Sequence, residues 1–97
     1  MIIRNKETIS RIMKISSKEF LLNDVIRILS RAKLINLTTV GGLKNNIDKT
    51  GFKIEYLDAL IKHFGRTGAE QKAKDLREIR EELLVAFKST EEVQNRG

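Results

Sequence analysis

The strongest constraint on the fold comes from residues 51–65, whose sequence is GFKIEYLDALIKHFG. A glycine stands at each end of this segment, where helices commonly terminate. Between the glycines, apolar side chains recur at helical spacing and form one stripe: Ile54, Leu57, Leu60, Ile61 and Phe64. The pattern predicts a central helix over residues 53–64 that buries this stripe between neighbouring helices.

Other segments show the same periodicity, and the chain lacks proline, which would interrupt helices. The predicted fold is therefore all-α, with a single small, bundle-like domain over residues 1–88 and a frayed tail over residues 89–97. Two pairs, Ser16 with Glu19 and Thr67 with Glu70, have the spacing of capping boxes, which predicts helix starts there. The four to five helices, of which the last is the longest, are predicted at about residues 3–15, 17–33, 39–49, 53–64 and 68–88.

Residues 34–42 leave two interpretations open. Alternating apolar and polar side chains are typical of a short strand, which the glycine pair at its end could turn. Alternatively, Thr38 or Thr39 caps a helix whose apolar positions face inward. We favour the helix, because the sequence offers no second convincing strand to pair with.

Composition narrows the classes of function. The chain has no cysteine and a single histidine, His63, which excludes thiolate and paired-histidine metal sites and leaves little choice of catalytic base. We therefore expect no enzyme activity, no metal and no cofactor. No apolar run is long enough for a membrane span, so we expect a cytoplasmic protein that does not enter a membrane.

The net charge of +6 is concentrated near the beginning of the chain. Residues 1–34 carry eight basic and three acidic side chains, whereas residues 69–97 carry six and seven. Such an excess of cations indicates contact with a polyanion, since neutralising phosphates releases their counterions. A solvated helix face explains the same basic stripes without a ligand. The predicted nucleic-acid contacts are Arg4, Arg11, Lys14, Arg27, Arg31 and Lys53.

A helix-turn-helix motif over Leu43–Lys62 is a further interpretation. Gly51 falls at the turn, and Leu57 takes an inward position on the second helix. Against the motif, Asn46 and Thr50 stand where apolar residues are normal, and carboxylates on the second helix would face phosphate. Because partial matches arise by chance in many pairs of amphipathic helices, the motif carries little weight.

Two functional hypotheses follow. The first is a small basic DNA-binding regulatory protein that acts through phosphate contacts and forms a homodimer through its last helix. Heptad spacing in that helix predicts oligomerisation contacts at Leu76, Ile79 and Leu83. The alternative is a non-enzymatic protein-binding module, such as an adaptor, inhibitor or immunity-type factor, that docks through helix faces. Single-stranded RNA is disfavoured, because only Tyr56 is expected to be free to stack on bases.

Overall fold

The structure is a computed structural model that describes residues 2–17, 22–36 and 39–96, with side chains as far as Lys88 apart from that of Ser17. It confirms the all-α, bundle-like fold with the longest helix last. The predicted helix over residues 17–33 is confirmed from Leu22 to Arg31, whereas Ser17 ends the preceding helix and residues 32–33 form a turn; residues 18–21 lie outside the described residues. In chain order the elements are β1 (Ile2–Ile3), α1 (Lys6–Ser17), α2 (Leu22–Arg31), α3 (Val40–Thr50), β2 (Phe52–Lys53), α4 (Ile54–Arg66) and α5 (Glu70–Arg96).

The central position of α4 confirms the prediction made from its apolar stripe. Leu57, Leu60 and Phe64 are fully buried, and Ile61 is nearly so. α4 packs most extensively against α5 and also against α2. Each fully buried apolar side chain of this size contributes about 1.5–3 kcal/mol, so the stripe joins three helices into one core.

The N-terminal residues differ from the predicted helix over residues 3–15. Ile2–Ile3 form β1, which pairs antiparallel with β2 and places Ile2 opposite Lys53 and Ile3 opposite Phe52. Because side chains alternate along a strand, Ile3 is 1% exposed whereas Ile2 is 40% exposed. The helix begins only at Lys6.

The segment over residues 34–42 contains the beginning of α3. Residues 34–36 have no regular secondary structure, and residues 37–38 lie outside the described part of the chain. α3 begins at Val40, and the Oγ1 of Thr39 caps it by accepting a hydrogen bond from the Gly42 N–H at 3.0 Å. The predicted helix start at Thr39 is thus confirmed.

Of the two predicted capping boxes, the one at Thr67 and Glu70 does not form, and the one at Ser16 and Glu19 extends outside the described residues. Ser16 lies in the last turn of α1, fully buried, and its Oγ has no hydrogen-bond partner among the described residues. Its proposed partner Glu19 falls outside those residues. Thr67 ends α4, where its N–H donates to the His63 carbonyl at 3.0 Å, and α5 begins later, at Glu70.

The last helix continues beyond its predicted end at residue 88. Its backbone is helical from Glu70 to Arg96, a length of 27 residues or about 40 Å at the helical rise. The predicted frayed tail over residues 89–97 lies beyond the described side chains, so fraying there stays a prediction.

Candidate nucleic-acid interface

A cleft between α2 and α4 brings together basic side chains from two helices. α2 contributes Arg27 and Arg31, and α4 contributes Lys62 and Arg66. Residues at i and i+4 share one helix face and lie about 6 Å apart along the axis, so each helix presents a row of two cations. The cleft has a volume of about 290 Å³, and its lining residues are Arg27, Ile28, Arg31, Ala32, Ala59, Lys62, His63 and Arg66.

The apolar pattern of each helix determines which side chains reach this cleft. In α2, Val25 and Leu29 are fully buried, and the two arginines lie exposed at the edge of the helix. In α4, Leu60 and Phe64 are fully buried, while the lysine and arginine of the basic row are exposed. The small side chain of Ala59 fills little of the space between the helices. The core therefore fixes the orientation of both basic rows.

Most of the positive charge in the cleft is not compensated by a carboxylate of the described residues. Arg27 forms an ion pair with Asp24, with 2.9 Å between its Nη2 and the carboxylate Oδ1. Within the described residues, no carboxylate forms an ion pair with Arg31, Lys62 or Arg66. A region with three unpaired cations and one partly compensated guanidinium attracts anions.

The carboxylates of α4 lie apart from its basic row. Asp58 accepts a hydrogen bond from the Arg80 Nε of α5 at 2.6 Å. Glu55 lines a separate depression beside Lys33 and Tyr56. The acidic residues that make α4 unsuitable for reading a DNA groove therefore do not neutralise the cleft.

His63 adds a titratable group to the cleft. Its half-buried ring packs edge-on against Phe64, with ring centroids 5.6 Å apart. Burial lowers the pKa of His63, and the guanidinium groups of the cleft lower it further against the opposing effect of Asp24. The imidazole is therefore neutral at neutral pH, and a bound anion would favour its protonation.

The six predicted nucleic-acid contacts do not form one surface. Only Arg27 and Arg31 reach the α2–α4 cleft. Arg11 instead forms an ion pair with Glu82 of α5, with 3.3 Å between Nη1 and Oε2. Lys53 lines the depression that contains Glu55, and so it lies beside a carboxylate.

The other two predicted contacts, Arg4 and Lys14, line a different groove, between α1 and α3. Conversely, the sequence prediction omitted Lys62, His63 and Arg66, which complete the α2–α4 cleft. Their spacing places them on one face of α4, a signal present in the sequence. That this face meets the arginines of α2 depends on how the two helices pack, which periodicity does not specify.

The structure also bears on two other modes of recognition, the helix-turn-helix motif, which carried little weight, and the expected stacking of Tyr56 on bases. α3 and α4 are connected through Gly51 and β2 and do not pack closely together, whereas the two helices of a helix-turn-helix motif do. Tyr56 is only 3% exposed, and its ring packs edge-on against Phe52 with centroids 5.4 Å apart. It is therefore not free to stack on a base.

The predicted oligomerisation residues occupy different environments. Leu76 and Ile79 are 0% and 1% exposed and belong to the core of the chain itself. Leu83 is half-buried and packs against that core. Further along α5, Val85 is 64% exposed. The heptad stripe thus packs chiefly within the chain, and Val85 is the large apolar side chain of α5 most accessible to a partner among the described residues.

Neither a metal site, a membrane span nor a likeness to known proteins assigns a function to the chain. In the described part of the chain, no group of three or more histidine or acidic residues is arranged to hold a metal ion. No helix among these residues combines the length and apolar character needed to cross a membrane. No protein-family model, curated protein or solved structure matches the chain.

Proposed function

We propose that this chain is a small, non-enzymatic DNA-binding regulatory protein of the cytoplasm that contacts the phosphate backbone through the α2–α4 cleft. The observation that carries the proposal is the convergence of Arg27 and Arg31 from one helix with Lys62 and Arg66 from another. Four cations held by a rigid core lose less conformational freedom on binding than the same charges on a flexible tail would.

The chemistry of the cleft suits an anion that offers several oxygen atoms, as phosphate does. Arginine presents a planar fork of donors that can bind two phosphate oxygens at once, whereas lysine acts as a point charge. The cleft combines three arginines with one lysine. The Ala32 and Ala59 side chains between them leave room for a phosphate to approach the charged groups.

Duplex DNA is the form of nucleic acid best suited to this surface. The one tyrosine is buried, and His63, whose half-buried ring packs against Phe64, is the single aromatic residue of the cleft lining, so the cleft offers little surface on which unstacked bases could stack. Because contacts to phosphate carry no sequence information, binding through these four cations is expected to depend little on base sequence.

The proposed active form is a homodimer. Two copies of the cleft would double the number of phosphate contacts, and association through α5 would use the exposed Val85 and the half-buried Leu83 rather than the buried part of the heptad stripe. A monomer, with a single cleft of four cations, would still bind DNA in this proposal, but with lower affinity than the dimer.

Fluorescence anisotropy with a labelled DNA duplex at low salt tests the proposal. The double variant Arg31→Gln/Arg66→Gln removes one unpaired cation from each helix and is expected to weaken binding about tenfold or more. The matched control, Lys74→Gln/Arg77→Gln, removes the same charge from exposed positions of α5 that lie outside the cleft. It is expected to bind nearly as well as the wild type.

Two results would contradict the proposal. The wild-type protein could fail to bind the duplex at low salt, which would exclude DNA as the ligand. Alternatively, the cleft and control variants could lose affinity equally, which would mean that net charge rather than the α2–α4 cleft determines binding.

A further inference from the structure

A second concave surface, the α1–α3 groove, lies apart from the α2–α4 cleft and shares no lining residue with it. It has a volume of about 910 Å³, roughly three times that of the cleft. Its walls are α1 and α3, two helices that do not pack closely against each other. Its lining residues are Arg4, Lys6, Ile9, Ser10, Met13, Lys14, Leu22, Val40, Lys44, Ile47, Asp48, Lys49 and Gly51.

The walls of the groove have the length of a helix-binding site. Along α1 the lining extends from Lys6 to Lys14, and along α3 from Val40 to Lys49. At the helical rise these distances are about 12 and 14 Å, slightly more than two turns. An amphipathic helix that docks in a groove commonly uses apolar anchors at i, i+3 or i+4, and i+7, which cover about the same distance.

The floor of the groove is apolar. Ile9, Met13, Leu22 and Val40 are half-buried, and Ile47 is buried at 3% exposure. These half-buried apolar side chains come from three helices. A partner that removes their remaining surface from water is stabilised by about 25 cal/mol per Å² of apolar surface buried. Phosphate offers no apolar surface to cover such a floor, which distinguishes the groove from the cleft.

The rim of the groove is basic. Five exposed cations surround the apolar floor, and within the described residues none of them forms an ion pair with a carboxylate. Asp48 is the single acidic residue of the lining. A partner with negative charges beside its apolar stripe would complement this arrangement, whereas a basic partner would be repelled. The rim cations are Arg4, Lys6, Lys14, Lys44 and Lys49.

We propose that the α1–α3 groove binds an acidic amphipathic helix of a partner protein. Apolar side chains of that helix cover the floor formed by Ile9, Met13 and Val40, and its carboxylates pair with the lysines of the rim. Apolar contacts provide most of the affinity, while the rim charges select an acidic partner and accelerate its association. This function is independent of DNA binding, because the two surfaces have no residue in common.

The probe for the test is a synthetic fluorescent peptide of about four helical turns. It carries leucines at i, i+4 and i+7 and glutamates on the flanking positions, and two control peptides carry either lysines in place of the glutamates or the same residues in scrambled order. Binding to the full chain is measured by anisotropy, and the contact site is mapped by ¹H–¹⁵N NMR chemical-shift changes.

We expect the acidic peptide to bind and to shift the amide signals of α1 and α3, and both control peptides to bind at least about tenfold more weakly. The variant Lys14→Glu/Lys44→Glu reverses one rim charge on each wall and should weaken acidic-peptide binding about tenfold or more. Lys74→Glu/Arg77→Glu, on the exposed face of α5, is the matched control and should bind as the wild type does. Both pairs are exposed, so far-UV circular dichroism should show the same helicity in all three proteins.

Several results would overturn the proposal. Shifts confined to α2 and α4, or equal losses in the rim and control variants, would show that the peptide does not use the groove. Equal binding of the scrambled peptide would exclude helical recognition. Displacement of the peptide by duplex DNA, with loss of DNA binding in Lys14→Glu/Lys44→Glu, would identify the groove as a nucleic-acid surface instead. Peptide-independent self-association that the rim variant abolishes would assign the groove to a second copy of this chain.

Discussion

Gly51→Ala should be the most destabilising conservative substitution near the N-terminal strand pair. Gly51 follows α3 with φ 77° and ψ 174°, a backbone conformation that residues other than glycine rarely adopt. A Cβ at this position would lie 2.5 Å from the Ile2 Cγ2 and 2.8 Å from the Ile3 carbonyl oxygen. The exposed Ile2 side chain can rotate away, but a backbone oxygen in a paired strand cannot.

The loss of stability in Gly51→Ala has two parts, the strained backbone and the contact between the new Cβ and the Ile3 carbonyl oxygen. Holding alanine in this backbone region costs about 1–3 kcal/mol. Relieving the contact with the carbonyl requires β1 to move away from β2, which weakens strand hydrogen bonds that each contribute about 1 kcal/mol and exposes Ile3. The free energy of unfolding should therefore fall by about 2–4 kcal/mol.

Urea unfolding followed by far-UV circular dichroism measures this change. Gly65→Ala is the matched control, because Gly65 lies within α4 and a Cβ there would meet no atom within 4 Å. Alanine favours the helix over glycine by about 1 kcal/mol, so the control should be more stable than the wild type. If the free energy of unfolding of Gly51→Ala lies within about 0.5 kcal/mol of the wild-type value, the strand pair does not hold the N-terminal residues against Gly51.

Three other changes test separate parts of the account. Ser16→Ala should raise the free energy of unfolding in urea by about 1 kcal/mol, because it removes a buried hydroxyl without a partner among the described residues; a loss of stability would mean that the hydroxyl is hydrogen-bonded. The lowered pKa leaves His63 neutral in the free protein, and a bound phosphate favours its protonation, so binding takes up a proton. DNA affinity should therefore rise as the pH falls from about 7.5 to 5.5, and this rise should disappear in His63→Gln. Identical pH profiles for the wild type and the variant would mean that His63 does not interact with the bound DNA. The same shift lowers stability in acid, since the unfolded chain binds the proton more readily once the pH falls below the ordinary pKa of 6.5. Val85→Glu should convert the proposed dimer to a monomer in sedimentation equilibrium, because it places a charge on an exposed apolar position of α5. Equal masses for the wild type and the variant would show that the dimer does not form through Val85.

The sequence predicts the helices well where the apolar pattern is long and regular. The stripe of α4 identifies Leu57, Leu60 and Phe64 as core residues, and all three are fully buried. It does not predict β1, because a two-residue strand has no periodicity and forms only when the distant segment Phe52–Lys53 is beside it. Side-chain caps are local but ambiguous: Asn5 accepts a hydrogen bond from the Glu7 N–H at 2.9 Å, whereas the regular capping-box spacing of Thr67 and Glu70 does not form a cap.

The candidate site is less predictable than the fold. The sequence locates exposed cations, since each lies outside an apolar stripe, and two of those it selects, Arg27 and Arg31, lie in the α2–α4 cleft. It does not reveal which basic faces meet, because that depends on the packing of helices far apart in sequence. Arg11 illustrates the limit: its partner Glu82 is 71 positions away, so charge counting along the chain misses the pair.

The salt dependence of DNA binding tests the central claim most directly. Each phosphate neutralised contributes about 0.9 to the magnitude of the slope of log Kobs against log salt concentration, so a cleft with four contacting cations predicts a slope of about −3.6 for each protomer that contacts the DNA. Arg31→Gln/Arg66→Gln should reduce the magnitude of this slope by about 1.8, and Lys74→Gln/Arg77→Gln should leave it unchanged. Equal slopes for the wild type and the Arg31→Gln/Arg66→Gln variant would contradict the assignment of the α2–α4 cleft as the phosphate-binding surface.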